Sequence, residues 1–543
     1  MREANEFVGG IESTLPKPWE EEPSFHDALY DWMGRAPWLA ISFAFHLLLY
    51  FVIAAIPWQE LQEEQTTEFT ATVLTPPEEI FQEPEEVIIE EIEEQVVEDP
   101  VITETLVDVA DAVDSEEHES LSESPFEYDS FITAIGLGPG AGNGPPGKQG
   151  GRVGGIRRVD PAVAKSILQG LEWLAEHQSE DGRWSAAAFP LECDLGGPPA
   201  HGAGSPAHDV GVTGLALLAF LGFGDTAHQG QYKDVIRRGL AWLRTQQDRD
   251  TGQIGARSSK EWIYDHAIAT LALAEAQYGA RSPLQRRALE RAVGLLVEAK
   301  APYGGAWRYD VPNPGTADTS VTGWAVFALA AAHDAGVALD DTLLVDALTL
   351  FDDVTDGRGW TGYTTLGEGS SRPRHLTEAY PASQTRALTA VSVLGRLFIG
   401  SALELDYPDV SGERSVGTDL IELGAEALTA EGLLPHWPDD LLPDAYGLQE
   451  EYVGSGGLDM YAWYYGTYAL YQLSDRYPSA WRSWERALER AVLPSQRTSP
   501  PCYEGSWDPL GAWGGEGGRV YSTALMVLSL QVYFRYSKVL GAR

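Results

Sequence analysis

The chain has 543 residues, 81 acidic and 37 basic, for a net charge of -44. That length exceeds one ordinary domain, and a surface so acidic repels phosphate backbones, which excludes nucleic-acid binding. Two cysteines, Cys193 and Cys502, are too few for a disulfide framework and sit in no CxxC or Cys/His array; a single bridge between them stays open.

Residues 1–37 lead into WLAISFAFHLLLYFVIAAI, residues 38–56, nineteen residues without a formal charge. That is close to the roughly 20 residues a helix needs to cross a bilayer, so a transmembrane helix is expected at 38–57, with Trp38 and Trp58 at its two interfaces. Arg2, Lys17 and Arg35 precede it, and no Lys or Arg follows until Lys148. The positive-inside rule then places residues 1–37 in the cytoplasm and the bulk of the chain outside, which in a bacterium is the periplasm. His46 lies mid-span, four residues after Ser42, where an ionisable group is rare. On the residues alone, a neutral His46 bonded within the membrane is the simpler reading. The Ser-xxx-His pair, with the Pro- and Glu-rich stretch beyond it, resembles the anchor of TonB-type energy transducers. That resemblance implies that Ser42 and His46 couple the helix to a proton-channel partner.

Residues 58–155 read as a linker. Residues 60–129 hold 25 Asp and Glu and no Lys or Arg, leaving -19 for the rest of the chain. Proline and like-charge repulsion favour an extended, solvated spacer. The Gly/Pro run at 136–155 continues it; no strand precedes these glycines and no GK[ST] closes them, so a phosphate loop is discarded.

From residue 156 to 543 the chain repeats, each unit an amphipathic helix, a Gly/Trp turn and a more apolar helix. First helices are predicted at 162–178, 232–247, 284–299, 342–354, 417–437 and 479–493. Second helices begin near Asp209, Asp265, Asp318, Pro381, Leu458 and Arg519. One-sided charge puts the first helices outside; second helices apolar nearly all round belong inside. Six such hairpins predict an all-α domain, an alpha/alpha toroid closed into a double ring rather than an open solenoid. Asp followed by Thr or Ser at several second-helix starts suits the N-terminal amides and the helix dipole.

The turns carry a family resemblance. LEWLAEHQSEDGRW, residues 171–184, with Gln178, Gly182 and Trp184, resembles the QW repeat of squalene-hopene cyclases, in the toroid superfamily that also holds the protein prenyltransferases. Arg238, Gly239, Trp242, Gln246 and Gly252 repeat it, with Ile254 where a Trp is expected. Gly305 with Trp307, Gly359 with Trp360 and Gly505 with Trp507 are degenerate copies. The resemblance implies a six-hairpin toroid around a central cavity, with Gln and Trp tying one hairpin to the next.

The chemistry of those families is not matched. A class II cyclase needs a carboxylic acid kept protonated in a dry cavity, built by the family into DxDD-Thr. The nearest segment is GTADTSVTGW at 315–324; aligning Asp318 and Thr319 puts Ala317 at the acid position, and Asp318 reads first as a helix cap. For prenyltransferase zinc, CYEGSW at Cys502 echoes the cysteine segment, but Ser522 stands where the His ligand would be, so no metal and no cofactor are expected. DDVTD at 352–356 spans a helix end and reads as helix-end solvation rather than a metal motif. Toroids open their cavity at one helix end, where His208, Asp209, Tyr264, Tyr380, Asp459, Tyr461, Trp463, Tyr464 and Tyr521 are the candidate lining residues. Asp318 and the neighbours Asp265 and His266 are the candidate catalytic groups, although adjacent helical residues point about 100 degrees apart, which favours capping and packing. The sequence thus predicts a membrane-anchored toroid binding a hydrophobic (isoprenoid) or peptide ligand, ahead of an isoprenoid enzyme with a rearranged acid and ahead of a TonB-like envelope transducer or scaffold.

Overall fold

The structure, a computed structural model, describes His46 and Leu47 and residues 159–302, 305–340, 342–368, 385–402, 417–447 and 458–535. The predicted span and linker, Ser42, Tyr380 and Pro381 lie outside these residues; His46 and Leu47 are helical and exposed. The described part of 119–543 is all-α.

Among the described residues, twelve helices longer than ten residues pair into six hairpins. They are α1 (Pro161–Glu176), α2 (Asp209–Phe223), α3 (Lys233–Thr245), α4 (Trp262–Ala280), α5 (Pro283–Glu298) and α6 (Thr319–Asp334). Then follow α7 (Thr342–Val354), α8 (Arg386–Ala402), α9 (Thr418–Leu428), α10 (Met460–Gln472), α11 (Pro478–Val492) and α12 (Gly514–Leu530). Pro161, Pro283 and Pro478 open α1, α5 and α11, where the missing N–H costs nothing. α9 is shorter than the predicted 417–437, and α4 starts one turn before Asp265. α12 breaks at Gly518, so its regular part begins at the predicted Arg519.

The even-numbered helices pack in a closed cycle: α2 on α4, α4 on α6, α6 on α8, α8 on α10, α10 on α12, and α12 back on α2. Each odd-numbered helix packs outside a neighbour in that cycle, and α1 closes it by packing on α12. Burial follows sequence. Every residue of α2 is buried, whereas α11 buries only the stripe Trp481, Trp484, Ala487, Leu488, Ala491 and Val492. Each Leu, Val or Phe so buried contributes about 1.5–3 kcal/mol, which makes the inner cycle the main stabilising core. Pro206–Phe223 passes the length and hydropathy test for a membrane span, but its helix is wholly buried in that core.

One device recurs at the turns. The indole N–H groups of Trp184, Trp307 and Trp507 donate to carbonyls near the ends of their own outer helices, Leu174 (2.6 Å), Leu296 (2.7 Å) and Val492 (2.8 Å). The backbone N–H groups of these three residues donate to a threonine hydroxyl on the following inner helix: Thr213, Thr322 and Thr523. In the second hairpin Ile254 fills the slot and donates to His266 Nδ1 instead (3.1 Å); in the fourth it is Thr361, donating to Thr389. Glutamines bridge outward: Gln178 donates to Gly182 O and to Val235 O of α3. Gln496 donates to Gly505 O and to Ser166 O of α1, so the last turn is tied to the first helix. Gly182 (φ 99°) and Gly505 (φ 91°) need the left-handed backbone, and a Cβ at either would lie 2.5 Å from Arg238 O or 2.2 Å from Gln169 O.

Two turn assignments are corrected by this pattern. Gln247, not Gln246, makes the second bridge, to Gly252 O and Ala288 O, because it stands five residues after the helix tryptophan, as Gln178 does; Gln246 donates to Thr245. In the fourth turn Thr361 and not Trp360 occupies the buried slot. The open question about cysteine also closes: Cys193 and Cys502 form a disulfide with 5.9 Å between Cα atoms, across the junction of the sixth and first hairpins.

Candidate functional site

The aspartates at the inner-helix starts do three different jobs. Asp318 caps α6, accepting from Val321 N at 2.8 Å, and Asp459 caps α10, accepting from Ala462 N at 3.0 Å. Asp209 caps nothing on α2; it accepts from Ala186 N (2.8 Å) and Ser185 Oγ (3.2 Å), fastening the first turn. Asp265 sits inside α4 and meets His208 Nδ1 at 3.1 Å, and that contact raises the His208 pKa. His266 turns away from its sequence neighbour. Its Nδ1 accepts from Ile254 N, its Nε2 donates to Ala292 O, and burial pushes its pKa down to about 4, so it is neutral.

Asp318 is the buried centre of a larger group. Its side chain is fully enclosed, and Oδ2 accepts from Tyr363 Oη at 3.2 Å and lies 3.8 Å from Arg308 Nε. Tyr363 is in turn hydrogen-bonded to Tyr309, so the hydroxyls run Tyr309 to Tyr363 to Asp318. Burial drives the Asp318 pKa up to about 7, against the Val321 amide, Arg308, Tyr363 and the Ser320 amide. Ser320 Oγ meets Tyr461 Oη at 3.1 Å from across the ring.

Behind this group the space between inner helices holds side chains. Trp324 on α6 reaches Tyr461, Tyr464 and Tyr465 on α10, two places round the cycle, with ring centroids 6.5, 6.3 and 5.5 Å away. Phe327 packs on Tyr465 and Phe398. These rings are buried, and burial pushes the Tyr461 hydroxyl up to about 12.

In front of it lies an open cleft of about 480 Å³ between the second and third hairpins, lined by Arg257, Lys260, Trp262, Tyr309, Asp310, Pro312 and Pro314 among others. Arg257 covers the Trp262 ring at 4.4 Å, and Lys260 covers the Tyr309 ring at 5.1 Å. Trp262 Nε1 donates to Tyr309 O (3.1 Å) and Arg257 donates to Val311 O (3.1 Å), joining the two walls. Both rings are buried and both cations exposed. Arg308 is not part of that lining; its guanidinium lies 5.6 Å from the centroid of Tyr309, which is, and 5.8 Å from that of Tyr363.

Of the residues expected around a cavity, the structure brings Asp318, Tyr264 and Tyr461 together: the Tyr264 ring lies 6.3 Å from Tyr309, and Tyr464 belongs to the aromatic filling. His208 and Asp265 form their own pair, Trp463 packs on Trp437, and Tyr521 is half-buried against Gly517. Sequence reasoning missed Arg257, Lys260, Arg308, Tyr309 and Tyr363. The available signal was cations beside aromatics in turns of a strongly acidic chain. Within DDVTD, Asp352 pairs with Arg396 at 2.6 Å and Asp356 accepts turn amides. Among the described residues no three His, Cys, Asp or Glu converge as a metal set.

No protein-family profile and no curated protein matches the chain. Among solved structures it is similar to the type II terpene cyclase MstE from Scytonema. The complex of that enzyme with geranylgeranyl dihydroxybenzoate aligns at 15% identity and a TM-score of 0.40, covering 70% of this chain and 98% of that one. The complex with merosterolic acid A aligns at 14% and 0.40, with the same coverage. The apo form aligns at 17% and 0.37, covering 68% and 98%.

Proposed function

We propose that the chain is a binding toroid, anchored in a bacterial inner membrane by residues 38–57 and facing the periplasm, whose cleft takes an anionic group carried on an apolar, isoprenoid-like body. One observation carries the ligand class: Arg257 and Lys260 are held over buried rings and, among the described residues, neither is ion-paired, in a chain of net charge -44. Exposed cation–π contacts contribute only about 0.5–1 kcal/mol each, and although Arg257 also donates to Gln253 Oε1 and Val311 O, both acceptors are neutral and leave its charge for an incoming anion. The filled ring interior favours binding at the open cleft over enclosure of a polyene. The disulfide is in keeping with an oxidising compartment. The test is to incubate detergent-solubilised full-length protein with geranylgeranyl diphosphate or squalene and to score bound ligand and products by mass spectrometry. Retention of the unchanged diphosphate, lost in Arg257→Ala/Lys260→Ala, supports the reading; equal retention of squalene, or of neither, defeats it.

A second reading, isoprenoid chemistry, is favoured by Asp318, whose pKa of about 7 leaves it partly protonated near neutrality. New products that vanish in Asp318→Asn would replace binding by catalysis. The substitution is a fair test because asparagine keeps the helix cap.

A further inference from the structure

Arg308 faces two ways. Its Nε points towards the Asp318 carboxylate, but at 3.8 Å that contact is longer than a hydrogen bond, and this buried nitrogen has no hydrogen-bond partner among the described residues. The side chain is 30% exposed, and its guanidinium lies within 6 Å of the centroids of both Tyr309, which lines the cleft, and Tyr363. Its hold on Asp318 is thus an ion pair without a hydrogen bond.

We propose that Arg308 is the third cation of the cleft, and that an anion engaging it withdraws it from Asp318, which then takes up a proton. This rests on the cleft being an anion site. The groups that face Asp318 make the exchange sensible. From the third turn come Arg308 and Tyr309; from the fourth turn, Tyr363; from α4, Tyr264; from α10, Tyr461; from α6 itself, the amides of Ser320 and Val321. Arg308 is the only one of these that carries a charge, so removing it leaves an enclosed carboxylate with hydroxyl and amide donors alone, and protonation becomes the less costly state. The tyrosine chain accommodates the change. Unprotonated Asp318 accepts from Tyr363, which accepts from Tyr309; the protonated acid would donate to the Tyr363 oxygen, Tyr363 would donate to the Tyr309 oxygen, and the Tyr309 hydroxyl hydrogen would turn away from Tyr363. One proton from solvent is taken up per anion bound at most, and no other bond changes.

Linkage fixes the sign. If binding takes up a proton, affinity falls as pH rises, by up to about tenfold per pH unit. The experiment is calorimetric titration of the full-length chain with naphthalenesulfonate, an aromatic anion whose charge is constant across the range, in buffers of different ionisation enthalpy at about pH 8. The wild type should bind with net uptake of a fraction of one proton. Asp318→Asn should bind with no uptake and a flat pH profile. Arg308→Gln should lose about tenfold or more in affinity together with the uptake, and Arg308→Lys should restore part of both. Uptake that persists in Asp318→Asn, binding by the wild type without uptake, or undiminished affinity in Arg308→Gln would each overturn the coupling while leaving the cleft an anion site. No binding by the wild type would overturn the cleft reading and the coupling with it.

Discussion

In the sixth turn of the ring, polar groups are matched one to one. The Trp507 indole goes to Val492 O, its backbone N–H to Thr523, and Gln496 to Gly505 O and Ser166 O. In the cleft between the second and third hairpins, matching is incomplete: Arg257 and Lys260 rest on rings, and Arg308 Nε stands 3.8 Å from a buried acid. Both regions use aromatic side chains with polar neighbours. In the turn the polar atoms are consumed in holding the hairpins together; at the cleft Trp262 and Arg257 also join the walls, but the cationic charges and Arg308 Nε are left over. A buried group without a partner destabilises the fold, so such a group persists more readily where it serves something besides folding.

The contrast is sharpest where one tryptophan occupies the slot and another only neighbours it. Trp507→Ala removes a fully buried ring and one of the hydrogen bonds to Val492 O, and should cost about 3–5 kcal/mol in denaturant unfolding. Trp360→Ala, on a half-buried residue beside the slot that Thr361 fills, should cost about 1 kcal/mol or less. Equal losses would break the distinction between slot and neighbour.

Asp318 tests the other side. An ordinary aspartate titrates near 3.9, and burial places Asp318 at about 7. The folded chain thus holds a proton that the unfolded chain releases between about pH 4 and 7. Stability from this group is present below that window, falls as pH rises through it, and stays low above it. Asp318→Asn should therefore match the wild type near pH 4 and exceed it above pH 7, by about 4 kcal/mol as an upper bound. A pH-independent difference between the two melting curves would mean that the acid is not strained by burial.

His266 gives a smaller effect of opposite sign. Four hairpins place threonine where the second places this histidine, accepting the slot residue's N–H. Its folded pKa, about 4, lies below the usual 6.5, so its contribution is present above pH 6.5 and lost as pH falls towards 4, amounting to about 3 kcal/mol at most. His266→Thr should flatten that acid limb of the stability curve even if the smaller side chain lowers the whole curve. A limb that keeps its slope would remove His266 as its source.

What the sequence made legible follows the same division. Periodicity located all twelve helices and their inner or outer place because one-sided charge and all-round apolarity are local properties. Asp318 could be read as a cap because a cap and its amides lie within three residues, whereas Asp459, expected in the cavity lining, caps α10 without the Asp-Thr or Asp-Ser pattern. Gln247 could have been told from Gln246 by spacing, since it stands five residues after Trp242 as Gln178 stands five after Trp173. The His208–Asp265 pair spans 57 positions and the disulfide 309, and no local pattern reports either. The cleft and the group behind it were the least legible part, because Arg257 and Lys260 of the second turn, Arg308 of the third and Tyr363 of the fourth become neighbours only through packing.

The smallest expected effect on folding belongs to the cleft cations, and it is the most discriminating. Arg257→Ala removes a contact over Trp262 and hydrogen bonds to Val311 O and Gln253 Oε1; Lys260→Ala removes a contact over Tyr309. Both side chains are exposed, so each substitution should shift unfolding by about 1 kcal/mol or less. If the cations exist for a ligand, the double variant should still lose about tenfold or more in affinity for an amphiphilic anion while its melting temperature stays near that of the wild type. If they exist to clamp the two walls, the order reverses and stability drops while binding, measured on the folded fraction, holds. Trp262 supplies the control for that reversal. Its indole also joins the walls through Tyr309 O but carries no charge, so Trp262→Phe should weaken the clamp and leave the anion's electrostatic attraction in place.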